Sequence, residues 1–323
     1  MFSSHRKQDH SLPPGTCIDR YRLTRTLGGG GFSYVYLAED LETGERVVIK
    51  EFMPARTAVR RPDGTVAPKN AEVAPRFNQG RRLFFQEASA LATLKHPNIV
   101  HVLGFFRANG TVYLVMEHQE GRNLQRYLTE RGGRLSETFL RTVFPPLLDG
   151  LEAIHAHDLL HLDIKPGNIH IRPGGKPLLL DFGAVHGFPR SRSTQPGQVV
   201  STGFSPIEQY DPNGYVGPWT DIYALGATMR ACIEGKPPPS ARRRSEHDDM
   251  KRAVDAFGRH YSRSLLAAID WAMEVDPLLR PQSAAEFREA LLSEDPPPPA
   301  TDDTGERAGG LGRWVGSLLG KQG

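Results

Sequence analysis

The chain has 323 residues, 40 Lys and Arg against 37 Asp and Glu, a formal net charge of +3 and two cysteines. That near balance gives no electrostatic argument for nucleic acid, and two cysteines are too few for a disulfide framework and fit a reducing compartment. The start "MFSSHRKQDHSLPPG" lacks the apolar stretch of a signal peptide, and no run approaches the roughly 18 apolar residues of a membrane span, so a soluble cytoplasmic protein is expected.

In chain order, residues 1–20 read as a polar, proline-containing leader. "YRLTRTLG" and "FSYVYLAED" are strands flanking a glycine cluster, and "GERVVIKEF" is a third after a Thr-Gly turn. A long insert follows, residues 52–80, whose "RRPDGTVAP" carries Pro and Gly where a turn needs their dihedrals. "RRLFFQEASALATL" is helical, with Phe84, Glu87, Leu91 and Leu94 on one face. "HVLGFFRANGTVYLVME" is two strands joined by Asn-Gly, the strongest short hairpin signal.

After Gly121 helices take over. Ser136 can cap one through "ETFLRTVFPPLLDGLEAIHAH", which Pro145 and Pro146 are expected to bend or interrupt. "PWTDIYALGATMRACIEG" opens on Pro and closes on Gly, as a buried helix often does, and "SRSLLAAIDWAMEVDP" and "SAAEFREALLSE" are two more. The basic run "ARRRSEH" at 241–247 reads as a solvated loop, with steering of acidic substrates as the alternative. Residues 293–309 are a linker by composition. In the tail 310–323, Leu311, Trp314, Val315, Leu318 and Leu319 form one apolar helical stripe, expected to fold on docking to the body of the protein, a partner or a membrane surface. The expected layout is thus a leader, a strand-rich lobe over 21–119, a helical lobe over 120–292, a linker and a tail.

Gly28 and Gly30 in "LGGGGFSYVY" lie in a turn where backbone amides can approach phosphates without side-chain clashes. Alone, such a turn is just as well a flexible hairpin. Lys50 ends a strand that otherwise wants apolar residues, and alone it would be a lysine snorkelling to solvent. Glu87, however, sits on the apolar helix face, where a carboxylate is costly unless paired. Lys50 is its natural partner, and the pair would hold the lysine against nucleotide phosphates.

"LLHLDIKPGNIHI" sets Asp163, Lys165 and Asn168 at close intervals among aliphatic residues. Phosphoryl transfer demands positioned groups and charge stabilisation more than covalent chemistry. Asp163 can orient a hydroxyl and accept its proton, and Lys165 can neutralise charge on the migrating phosphoryl group. Asn168 offers a neutral oxygen to Mg2+, and Asp181 of "LLLDFG" adds a carboxylate. Each signal is weak alone. Together, in order, and with Lys50, Glu87 and the glycine loop, they make chance an unsatisfying account. His161 reads as structural, packed under Phe182 and bonded to backbone.

With these motifs assembled, the sequence resembles a eukaryotic-like (Hanks-type) protein kinase from about Tyr21 to Leu292, and most resembles bacterial serine/threonine kinases in "KEFMP", "HPNIV" and "SPIEQY". The resemblance implies an α+β bilobal protein-kinase fold, with a small antiparallel-sheet N-lobe carrying one helix and a larger, mainly helical C-lobe. It implies ATP-dependent transfer of the γ-phosphoryl group to serine or threonine hydroxyls of protein substrates, with autophosphorylation, using ATP and Mg2+. Asp163 would be the catalytic base, and Lys165 at its spacing is the serine/threonine pattern. Lys50, paired with Glu87, would contact the α- and β-phosphates, and Asn168 and Asp181 would hold the metal. Met116 would be the gatekeeper, Glu117 and His118 the hinge, and Leu27, Gly28, Gly30, Val35, Val48 and His170 further nucleotide contacts. Glu208 is expected to pair with Arg280, and Asp221 to hold the catalytic-loop backbone.

The sequence also departs from that pattern. Ser33 replaces the loop's third glycine, Val48 stands where alanine is usual, His170 replaces an aliphatic residue, and Ser201 takes the place of a threonine. Leu162 replaces the arginine that usually precedes the catalytic Asp, which bears on regulation and not on chemistry. Two rival readings are a pseudokinase-type nucleotide-binding scaffold and a small-molecule phosphotransferase. The complete set of reacting groups argues against the first, and the "SPIEQY" segment with Asp221 and Arg280 against the second.

Overall fold

A computed structural model describes residues 10–180, 186–187, 200–211 and 213–297. The chain divides into two compact units, Met1–Lys95 with Val100–Gln119 and His96–Ile99 with Glu120–Gly323.

The first unit is a six-stranded antiparallel sheet with one long helix, as expected. Its strands are β1 (Cys17–Ile18), β2 (Tyr21–Gly29), β3 (Ser33–Asp40), β4 (Arg46–Phe52), β7 (Val102–Ala108) and β8 (Thr111–Glu117), in the order β1-β2-β3-β4-β8-β7. The insert forms a separate hairpin, β5 (Ala58–Arg60) with β6 (Val66–Pro68), and then enters helix α1 (Ala74–Leu91). The turn in "RRPDGTVAP" is made as anticipated: Gly64 takes φ 83°, and Asp63 accepts from the Thr65 amide at 2.9 Å. Asn109 and Gly110 take φ 49° and 73°, the conformation a two-residue Asn-Gly hairpin needs. Helix α1 starts well before the periodic stretch at Arg81, because Pro75 in its first turn is pre-set for helical φ.

Side chains alternate across a strand. In β4, Val47, Ile49 and Glu51 therefore share one face, and Val48, Lys50 and Phe52 the other. The first face belongs to a core of Leu12, Ile18, Tyr21, Leu23, Tyr36, Ala38, Val47, Ile49, Tyr113 and Val115. The leader thus contributes buried residues from Leu12 onward, which its polar composition does not announce. On the second face Phe52 packs against Phe77 and Phe84 of α1, with ring centroids 5.9 and 5.5 Å apart.

The second unit is mainly helical: α2 (Leu124–Glu130), α3 (Glu137–His155), α4 (Pro218–Glu234), α5 (Ala241–Glu246), α6 (Ala253–Phe257), α7 (Arg263–Ala272) and α8 (Ala284–Leu292). Short strands β9 (Arg122–Asn123), β11 (Ile169–Ile171) and β12 (Pro177–Leu179) form one small sheet, and β10 (Leu159–Leu160) pairs with β13 (His186–Gly187). Asn123, Ser136, Ser262 and Ser283 cap α2, α3, α7 and α8 with side-chain oxygens. Helix α3 runs unbroken across Pro145 and Pro146, so the expected interruption does not occur; its inner face is buried from Leu140 to Ile154, and that packing offsets the lost amide bonds. Helix α4 begins at Pro218, ends at Gly235 with φ 83°, and buries nearly every side chain between. Among the described residues, no helix is long and apolar enough to cross a membrane. The tail 310–323 lies outside the described residues.

Candidate active site

In the first unit the glycine turn joins β2 to β3, with Gly28 opposite Val35 and Gly29 opposite Tyr34. A methyl group added at Gly28 or Gly30 would meet nothing within 4 Å, and neither has positive φ. The protein's own packing therefore does not require glycine there. Leu27 beside them is 42% exposed. Lys50 lies in β4 opposite Val35 of β3 and Leu114 of β8, and is itself 3% exposed. Helix α1 presents Glu87 close enough for the Lys50 charge to act on it. Burial pushes the Glu87 carboxyl well above the usual range, and Lys50 pulls it back. Val48 pairs with Met116, which is buried. The Glu117 amide is bonded to the His101 carbonyl at 3.0 Å, so a ligand bond at Glu117 falls to its carbonyl. His118 follows, half-buried.

In the second unit the loop between β10 and β11 gathers the polar groups around Asp163. Lys165 Nζ donates to both carboxylate oxygens, at 2.9 and 2.8 Å. Ser201 Oγ donates to Asp163 Oδ1 at 2.7 Å and accepts from Lys165 Nζ at 3.0 Å. Asn168 Nδ2 donates to the Asp163 carbonyl at 2.8 Å and to Oδ2 at 2.9 Å. Its amide nitrogen is thus committed, and its oxygen is the donor it can present to a cation. A hard oxygen of this kind suits Mg2+. Asp181, expected as the second ligand, lies outside the described residues, as do Phe182 and Gly183.

The His161 ring accepts the Asp163 amide at Nδ1 (3.3 Å) and contacts the Leu180 carbonyl through Nε2 (3.0 Å), which assigns the ring proton to Nε2. Both nitrogens are spent on backbone, so His161 holds the loop and is not a base. Asp221 at the start of α4 accepts the amides of His161 (2.9 Å) and Leu162 (2.8 Å) and the ring of His155 (2.9 Å). Burial raises the Asp221 carboxyl, yet the His155 hydrogen bond and charge, with those of His161, hold it below its ordinary value. His170 in β11 lies over Gly121, where φ is 136° and a methyl group would fall 2.3 Å from the Ile171 carbonyl and 2.7 Å from the His170 ring. Only glycine fits there. Glu208 and Arg280 form the expected buried pair at 2.7 Å, and Thr220 Oγ1 donates to Glu208 at 2.9 Å.

Some contributors are not legible in the motifs. His155 at the end of α3 supports Asp221, and Gln209 Nε2 donates to the Leu162 carbonyl at 2.8 Å. Glu51 is buried in the phase of Val47 and Ile49, a position where alternation alone would have singled it out.

Comparison with known proteins decides what this arrangement belongs to. The protein kinase domain family matches residues 21–297. The chain is a member of that family. The serine/threonine-protein kinase PknA of Nostoc sp. (strain PCC 7120) is 31% identical over 284 residues, covering 84% of this chain and 47% of that protein. PknA of Mycobacterium tuberculosis is 33% identical over 228 residues (69% and 48%), and PrkC of Bacillus subtilis 27% over 277 residues (86% and 38%). The chain thus spans about half the length, or less, of these relatives. The solved structure titled "PpkA-294 apo form" superposes with TM-score 0.76 at 34% identity, covering 87% of this chain and 99% of that one. These relatives bear out the resemblance to bacterial eukaryotic-like serine/threonine kinases, and the kinase fold with it.

Proposed function

We propose that the chain transfers the γ-phosphoryl group of ATP to serine or threonine hydroxyls of protein substrates, itself among them. The observation that carries this reading is the cluster in which Asp163 is bonded at once by Lys165, Ser201 and Asn168. A carboxylate so fixed can orient an incoming hydroxyl and take its proton, while Lys165, bonded to the same group, lies where it can offset charge on the phosphoryl group in transit. In the first unit, Lys50 with Glu87 holds the α- and β-phosphates, and the open space above Gly28 and Gly30 lets the backbone approach them. Leu27, Val35, Val48, Met116, Glu117 and His118 hold the base and sugar, and His170 is proposed as a further nucleotide contact. Mg2+ held by Asn168 and Asp181 supplies neutralising charge to the phosphates when bound.

Protein rather than small-molecule acceptors fit the buried Glu208–Arg280 pair, which braces the segment from Phe204 to Tyr210 as a platform. Two free cysteines, Cys17 and Cys232, suit action in a reducing cytoplasm. The apolar stripe of the tail 310–323 docks, in this reading, on the kinase body, a partner or a membrane surface. The test is transfer of radiolabelled phosphate from ATP to a generic basic protein, to small-molecule acceptors and to the chain itself, with Asp163→Ala as control. Labelling of protein by the wild type alone supports the proposal; no transfer, or transfer only to small molecules, refutes it.

A further inference from the structure

We propose that Glu51 and Arg60 are positioning residues for Lys50, so that the insert after β4 is part of the phosphate-binding apparatus. This rests on the reading of Lys50 as the lysine that holds nucleotide phosphates. Glu51 follows Lys50 in β4, projects to the opposite face and is 0% exposed. Each of its carboxylate oxygens takes two hydrogen bonds. Oε1 accepts from Tyr113 Oη at 2.8 Å and Arg60 Nη1 at 3.0 Å, and Oε2 from Tyr36 Oη at 2.8 Å and Arg60 Nη2 at 2.5 Å. Those donors come from β8, β3 and β5, so a single side chain of β4 is tied to both neighbouring strands and to the insert.

Arg60 carries the tie further. Its Nη1 also donates to the Gly64 carbonyl at 3.0 Å and its Nε to the His10 carbonyl at 2.6 Å. The Leu12 amide donates to Tyr36 Oη at 3.1 Å. Burial works against the Arg60 charge, but the hydrogen bonds and charge of Glu51 outweigh it. Burial likewise raises both tyrosine hydroxyls, with the Glu51 charge adding to it, so they remain donors.

Apolar side chains would seal this face at less electrostatic cost. What a two-pronged arginine–carboxylate pair adds is geometry, since it is satisfied in one arrangement only. Adjacent residues of a strand cannot turn independently. Holding Glu51 at four points therefore holds the twist of β4 and the direction in which Lys50 leaves it.

The full-length chain is assayed as wild type, as Arg60→Lys, as the double variant Glu51→Leu with Arg60→Met, and as Lys50→Met. The double variant replaces the ion pair by apolar groups of similar size but leaves the buried Tyr36 and Tyr113 hydroxyls without their acceptor, so it is expected to melt somewhat lower than wild type, and its kinetics are read on folded protein. We expect its kcat to fall about tenfold while the KM for ATP stays within about threefold, because misdirected phosphates weaken the transition state more than ground-state binding. Arg60→Lys keeps the charge and loses the two-pronged geometry, and is expected to lose kcat in the same sense. Wild-type kcat in the double variant beside an inactive Lys50→Met overturns the proposal and leaves the lysine assignment standing. An active Lys50→Met overturns that assignment and this proposal with it. Should the double variant fail to fold, Arg60→Lys decides: a lowered melting temperature with unchanged kcat shows a structural role only and overturns the proposal.

Discussion

The backbone amide of Leu162 donates to the Asp221 carboxylate at 2.8 Å, and it does so from a left-handed conformation, φ 60°. For a leucine that conformation costs on the order of 1 kcal/mol or more. The cost is borne because Asp221, wholly buried on a helix remote in sequence, also takes the His161 amide. The direction in which Asp163 leaves the loop is thus set by a residue of α4.

Asp221→Asn turns one acceptor into a donor facing these groups. We expect a loss of about 3 kcal/mol in unfolding free energy at neutral pH, read from denaturant melts, and reduced turnover from the protein that stays folded. The folded-state pKa of Asp221 lies below its ordinary value. Its stabilisation is therefore fully present above about pH 4 and is lost as the pH falls through the folded value. The gap between wild type and variant should narrow in acid. A gap of constant size would show that ionisation of Asp221 does not drive it.

Ser201 bridges Asp163 and Lys165 with one hydroxyl. Ser201→Ala should leave the ion pair and remove the bridge, lowering kcat by about tenfold with little change in stability, since one net hydrogen bond is worth about 1 kcal/mol. Ser201→Thr keeps the hydroxyl and should restore turnover. Equal activity of all three proteins would mean that the bridge is idle.

Glu87 makes a prediction of the opposite sign. Burial raises its carboxyl well above the usual range. If activity needs the ionised Lys50–Glu87 pair, turnover must fall as the pH drops through that raised value, which lies above the ordinary value of about 4.3. Glu87→Gln should therefore be less active and should shift the acid limb of the pH–rate profile downward. A raised carboxylate contributes stability below its unfolded pKa and loses it as the pH rises through the folded one. Set against this, the glutamine variant leaves the buried Lys50 ammonium without its charged partner, so no rise in melting temperature is expected at neutral pH. An unmoved acid limb would remove Glu87 from the catalytic titration.

Most of the second unit's site is legible in the sequence because its residues lie close together in the chain. Asp163, Lys165 and Asn168 span one loop, and their hydrogen bonds follow from that proximity. Glu208 with Arg280 is legible only through the resemblance, since nothing local links residues so far apart. The Glu51 cluster is only partly legible: alternation marks Glu51 as a carboxylate in the buried phase of β4, but its partners Tyr36, Arg60 and Tyr113 lie on three other segments, and nothing local points to them. Polarity likewise conceals the leader's part: Leu12 and Ile18 make it a piece of the core. The start of α1 is not legible in the periodicity because Pro75 opens the helix before its apolar stripe begins.

Leu162 itself carries the last prediction. In kinases with arginine at this position the guanidinium is a buried charge that awaits a phosphate on the activation segment, and the phosphate orders the segment through charge-assisted hydrogen bonds. Here the leucine is 3% exposed and packs with Leu160 and Val216, while Gln209 bonds its carbonyl at 2.8 Å. The far end of the segment is thus anchored by apolar packing, by Gln209 and by the Glu208–Arg280 pair, none of which requires phosphate. Ser191, Ser193 and Thr194 lie outside the described residues and are the hydroxyls proposed here as acceptors for autophosphorylation. We expect that phosphorylating them is not an obligatory switch. The measurement compares a Ser191→Ala, Ser193→Ala, Thr194→Ala triple variant with phosphatase-treated wild type on an external protein substrate. Retention of most activity in both is the expected result, and it would direct the search for control to the Lys50–Glu87 pair and the insert that braces β4. Loss of most activity in both would mean that another basic residue reads the phosphate, and that the apolar anchor around Leu162 does not suffice to order the segment.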